Sequence, residues 1–153
     1  GAFLITSLLK GVVDHGTASK ARALGVQGPV AGKTGTTDGS RDAWFVGYSP
    51  DIAIGVWIGF DDERSIKLSG SQAALPIWSE LAIRLLPRDV PDFAMPTGVV
   101  QRRIDPRTGQ LATSQCPENR PEFFIAGTEP TTYCEVHGGG VWERVKETFG
   151  LSS

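Results

Sequence analysis

Between Val30 and Phe60 the chain carries three strand-like runs separated by tight turns, and this spacing narrows the fold more than any other feature. Pro29 blocks a helix before the first run, Val30 to Thr37, and Asp38-Gly39-Ser40 supplies turn chemistry after it. Ala43 to Tyr48 and Ile52 to Phe60 follow, joined by Ser49-Pro50-Asp51. Runs this close can only pair as an antiparallel meander. In the third, Ile52, Ile54, Val56 and Ile58 alternate with Ala53, Gly55, Trp57 and Gly59, so both faces are apolar and both are expected to be covered by helices. Helices are available. Residues 2–15 place Ile5, Leu8, Leu9 and Val12 on one face, and a short helix from a Thr17 cap to Gly25 turns Ala18, Ala21 and Leu24 inward. A third, Pro76 to Leu86, aligns Trp78, Leu81, Ala82 and Leu85. The expected class is α+β, an antiparallel sheet flanked by helices.

Composition then excludes several functions. With 153 residues, 40% hydrophobic and 21% charged, the chain can build a core. Fifteen basic against 17 acidic residues leave a net charge of −2, which gives no broad basic surface for nucleic acid. No apolar run approaches the roughly 20 residues of a membrane span. Any anion site must be local.

One local candidate stands out in the first strand, Val30-Ala31-Gly32-Lys33-Thr34-Gly35-Thr36-Thr37. Period-two alternation puts Lys33 and Gly35 on one face, Thr34 and Thr36 on the other. Glycines at 32 and 35 leave the backbone bare beside a cation, which suits a peptide that pairs along the strand edge while Lys33 meets its carboxylate. A phosphate-binding loop is excluded, because Gln27 stands where its first glycine belongs and a turn, not a helix, follows.

Proline and charge concentrate after residue 86, so 87–97 reads as a linker and 98–153 as an appendage. In it, Gly98 to Ile104 is expected to form a hairpin with Gln110 to Ala112, and Val141 to Phe149 a short helix. Cys116 and Cys134 are expected to form a disulfide, which would contribute roughly 3 kcal/mol and imply an oxidising compartment. A metal reading from Cys116, Cys134 and His137 lacks paired cysteine spacing and a clear fourth ligand, so no metal is expected.

Lys33-Thr34-Gly35-Thr36 resembles the third signature motif of penicillin-binding proteins and serine β-lactamases. The residues around it resemble the class A, bifunctional penicillin-binding proteins in order: Leu4 to Val13 and Gly16-Thr17-Ala18 before the motif, Asp42 to Pro50, Ile54 to Gly59 and Ala74 to Trp78 after it. Ile104-Asp105-Pro106, Thr108-Gly109 and Gly127 to Thr131 resemble that class's C-terminal tail. The resemblance implies the transpeptidase fold of that family, with residues 1–86 as the C-terminal part of its penicillin-binding domain. It implies serine acyl transfer that cross-links peptidoglycan stem peptides ending in D-alanyl-D-alanine, acylation by β-lactams, and no cofactor. Lys33 would supply positive potential. Thr34, Gly35 and Thr36 would bind substrate, with the Thr36 amide as half of an oxyanion hole. The parent would be membrane-anchored on the periplasmic face of a bacterial inner membrane.

The nucleophile motif Ser-x-x-Lys and the Ser-x-Asn motif should lie well upstream of Lys33. Ser7-Leu8-Leu9-Lys10 has the first spacing but falls in the helix that directly precedes the motif, and Ser-x-Asn is absent. The expectation is therefore a portion that is inert alone and needs the upstream half of its domain. The alternatives are a β-lactamase or DD-carboxypeptidase portion and a non-catalytic peptide-binding module.

Overall fold

The structure is a computed structural model that describes residues 1–62, 64–87 and 89–137. The chain divides into two units, Gly1–Met95 and Pro96–Ser153.

In the first unit, helix α1 (Ala2–Asp14) and a single turn, α2 (Lys20–Ala23), precede a three-stranded antiparallel sheet of β1 (Ala31–Thr36), β2 (Ala43–Tyr48) and β3 (Ala53–Ile58). Sheet order follows sequence order, as the turn spacing requires, so β1 and β3 are its edges among the described residues. Helix α3 (Ala74–Leu85) closes the unit.

One core joins these elements. Val13 of α1, Ala18, Ala21, Val26, Val30, Phe45 and Val56, and Ala74, Leu75, Trp78 and Ala82 of α3 pack in one cluster. Trp78 sets its geometry. Its ring meets Phe45 edge-on at 4.7 Å between centroids, and its indole N–H donates to the Ile54 carbonyl at 3.0 Å, so a large apolar ring is buried with its polar atom satisfied.

The helices share one face of the sheet, which corrects the expectation that β3 is covered on both. Ile54, Val56 and Ile58 pack inward, while Trp44, Val46 and Trp57 are exposed on the opposite face, with Trp44 and Trp57 paired across strands. The expected inner faces are shifted too. Ile5 and Leu8 of α1, Leu24, and Leu81 and Leu85 of α3 are exposed. Helix α3 instead buries Leu75, Trp78, Ser79 and Ala82, because Trp78 fixes its rotation. The Thr17 cap is not made, since the turn starts after Ser19 without a side-chain cap.

The second unit contains the antiparallel pair β4 (Val99–Ile104) and β5 (Arg120–Ile125). Residues 110–112, the expected partner of β4, make one bridge to it, between Leu111 and Ile104. Pro121 and its charged neighbours obscured β5, yet a strand with an outer edge tolerates a proline. The helix expected over Val141 to Phe149 lies outside the described residues.

Candidate functional site

Hydrogen-bond alternation decides what β1 presents. The Thr37 N–H donates to the Asp42 carbonyl at 3.1 Å, which makes Thr37 and Asp42 a hydrogen-bonded pair. Pairs alternate in an antiparallel ladder, so Thr36 opposite Ala43 and Thr34 opposite Phe45 are non-hydrogen-bonded pairs. Their N–H and C=O groups therefore point away from β2, toward the open edge. The Lys33 ammonium reports the same geometry, since it donates to the Thr34 carbonyl at 2.9 Å and its hydroxyl at 3.3 Å. Lys33 is exposed, and among the described residues no carboxylate pairs with it.

The hydroxyls are also placed. Thr36 Oγ1 accepts from the Gly70 amide at 3.0 Å, so its own proton remains available to donate outward. Thr34 Oγ1 lies 3.4 Å from Thr17 Oγ1. Gly70 rests on the sheet over the Gly35 and Trp44 pair. A Cβ there would come 2.4 Å from the Trp44 carbonyl oxygen and 2.6 Å from that of Gly35, both backbone atoms that cannot yield cheaply. Gly32 serves the core instead of a ligand: it is buried, and a Cβ would meet the Phe45 ring at 2.7 Å. The idea that both glycines bare the strand for a peptide therefore fails at 32.

At the end of β1 a cleft of about 520 Å³ opens, lined by Thr36, Thr37, Asp38, Arg41, Asp42 and Phe60. Its Asp42 wall is fixed by the Thr37 hydroxyl at 3.1 Å and the Trp57 indole at 2.8 Å. The other sequence candidate for chemistry is engaged elsewhere. Lys10 of the Ser7–Lys10 pair forms an ion pair with Asp92. Sequence reasoning missed Gly70, which carries no side-chain signal and lies far along the chain from the strand it supports.

In the second unit, Cys116 and Cys134 are buried, unlinked thiols, so the expected disulfide is not formed. The Cys134 thiol is turned instead toward Asp105 and His137, 3.0 Å from Asp105 Oδ2 and 3.3 Å from His137 Nδ1. The hydrogen bond from Cys134 holds the Asp105 carboxyl well below the usual carboxylate range, and burial pushes the Cys134 thiol up.

The chain has the α+β fold of a solved penicillin-binding protein. In the crystal structure of penicillin-binding protein 1A from Haemophilus influenzae, the matching region is 32% identical with a TM-score of 0.72, covering 87% of this chain and 21% of that one. Residues 95–139 match the family described as penicillin-binding protein 1A, C-terminal domain. The chain is 44% identical over 132 residues to penicillin-binding protein 1A of Aquifex aeolicus, covering 83% of this chain and 18% of that protein. To the Pseudomonas aeruginosa protein of the same name it is 38% identical, covering 90% and 17%. The chain belongs to the class A penicillin-binding proteins and corresponds to their C-terminal part. It spans about a fifth of the length of these relatives.

Proposed function

We propose that this chain contributes one wall of a serine transpeptidase active site that cross-links peptidoglycan stem peptides and is acylated by β-lactams. The observation that carries this reading is the outward direction of the Thr34 and Thr36 main-chain groups beside an exposed Lys33. An extended stem peptide would pair along this edge, with its terminal carboxylate received by Lys33 and the Thr34 and Thr36 hydroxyls. The Thr36 amide would serve as one oxyanion donor while a serine of the upstream half attacks the scissile D-alanyl carbonyl and expels the terminal D-alanine. An acceptor amine then releases the acyl group. The chain alone would be inert, and its parent would act outside the cytoplasm.

Intact-mass analysis after incubation with a β-lactam tests this, on the chain alone, mixed with the upstream half, and on the parent protein. No adduct is expected on the chain alone and one on the parent. In the parent, Lys33→Ala should slow acylation by about tenfold to a hundredfold, the worth of a charge-assisted hydrogen bond. Thr36→Pro removes the amide where no ladder bond is lost and should cost on the order of 10² to 10³. Unchanged acylation in both variants would remove β1 from the site. An adduct on the isolated chain that disappears with Ser7→Ala would make this chain self-contained.

A further inference from the structure

Among the described residues, the second unit buries little apolar side chain. Those buried among the described residues are Ile104, Asp105, Thr113, Cys116 and Cys134, and the hydrophobic cluster contains none of them. The unit runs from Pro96 to Ser153, and small units of this size often add a disulfide, a metal or a partner to their core. The disulfide is not there.

What replaces it is a convergence of donor atoms. Asp105, Cys116, Cys134 and His137 each direct one ligand atom to a common point, all within 4.8 Å of one another. His137 Nδ1 and Cys134 Sγ both contact Asp105 Oδ2. Zinc holds nitrogen, oxygen and thiolate donors at about 2.0 to 2.3 Å in a tetrahedron, which separates neighbouring donors by roughly 3.3 to 3.8 Å. The observed donors bracket that range, with Cys134 Sγ 3.0 Å from Asp105 Oδ2 and 3.3 Å from His137 Nδ1 and all four within 4.8 Å.

The backbone builds the cluster. Leu111 bridges Ile104 on one side and Tyr133 on the other, which sets Asp105 and Cys134 side by side. The Asp105 N–H donates to the Gln110 carbonyl and the Cys134 N–H to that of Leu111, each at 2.9 Å. Outer partners orient the ligands, as at established metal sites. The Arg107 amide occupies Asp105 Oδ1 at 2.8 Å, so that Oδ2 is the oxygen turned to Cys134 and His137. The Thr113 amide donates to Cys116 Sγ at 3.2 Å, a bond that favours thiolate. A dication with two thiolates, a carboxylate and a neutral imidazole carries a net charge of −1, and the Arg107 guanidinium lies 3.5 Å from His137 Nε2 to offset it.

We propose that Asp105, Cys116, Cys134 and His137 form a structural tetrahedral site for a divalent d¹⁰ cation, zinc by the chemistry of its donors. Four protein ligands leave no open position, so the ion holds the fold and does no catalysis. Binding releases the two thiol protons to solvent. The ion ties the turn after β4 to the segments around Cys116 and Cys134.

The test is elemental analysis of the full chain, purified without a metal-affinity step from zinc-supplemented cells, with thiols titrated before and after chelation. One zinc per chain is expected, with two thiols that react only once the chelator removes it. Cobalt substituted into the unmodified chain should give the charge-transfer and ligand-field bands of a tetrahedral thiolate site. Cys116→Ser and Asp105→Asn should each weaken zinc binding by at least about tenfold, the lower bound for disturbing such a site. A metal-free chain whose two cysteines are recovered as a disulfide overturns the proposal. So does the absence of cobalt–thiolate bands, or full zinc occupancy in a Cys116→Ser, Cys134→Ser double variant. The cobalt spectrum is independent of whether any variant folds.

Discussion

Among the described residues, the largest fully buried side chains of the unit that ends at Met95 are Trp78, Phe45, Leu75, Val13 and Val30; in the unit that follows, they are Asp105 and Cys134. The first stacks two helices and a sheet on one aromatic pair, so its stability is spread over many apolar contacts from distant parts of the chain. The second concentrates its interior in a few hydrogen-bonding and sulfur-bearing groups. Spread-out apolar burial degrades gradually under substitution, whereas a polar centre depends on every partner being present. The same chain therefore contains two ways of specifying a fold.

The largest effect is expected at Trp78. Trp78→Ala removes the ring against Phe45 and the indole hydrogen bond to the Ile54 carbonyl, and should cost about 3 to 5 kcal/mol in the first unit. Hydrogen exchange should show lost protection through β2 and β3 with β4 and β5 unchanged. Spreading of the loss into β4 and β5 would break the contrast between the units.

Ile104→Ala is expected to cost less, about 2 kcal/mol, the low end for a buried isoleucine, because among the described residues Ile104 lies outside the hydrophobic cluster. Denaturant titration followed by exchange at β4 amides measures it. A cost equal to that of Trp78→Ala would mean that the second unit has an apolar core after all.

The smallest effect concerns acid. Glu129 accepts from its own amide and from that of Gly127 at 2.7 Å, and it pairs with Arg102 at 3.0 Å, which together lower its carboxyl from the ordinary value. A carboxyl lowered in the folded state stabilises fully above its unfolded value of about 4.3 and loses that contribution as pH falls through the folded one. As pH falls from the unfolded value through the lower folded one, the Gly127 amide should lose protection, and Glu129→Gln should abolish that pH dependence. An unaltered profile in the variant would remove Glu129 as its source.

Much of the first unit was legible because strands joined by connections of six and four residues leave few alternatives, and Asp38-Gly39-Ser40 and Ser49-Pro50-Asp51 are explicit turn chemistry. Helix rotation was less legible: periodicity offers Leu81 and Leu85 as readily as Leu75 and Ser79, and only docking of Trp78 on Phe45 selects between them. The Lys33 to Thr36 run was readable as a site, but the direction of its amides depends on the register with β2, which no residue type encodes. Asp105 was hidden for a related reason. An aspartate before a proline reads as a turn residue, and here it does form a turn while its other oxygen faces Cys134 and His137.

Gly70 sits on the strand that carries Lys33, with its amide on Thr36 and no room for a side chain. The height of that edge is thus governed by a position that any mutational library confined to residues 30–37 leaves constant. Selection for a different ligand would find its geometric freedom at residue 70 and its chemical freedom at 33, 34 and 36, so the two searches are separable and the remote one is the steeper.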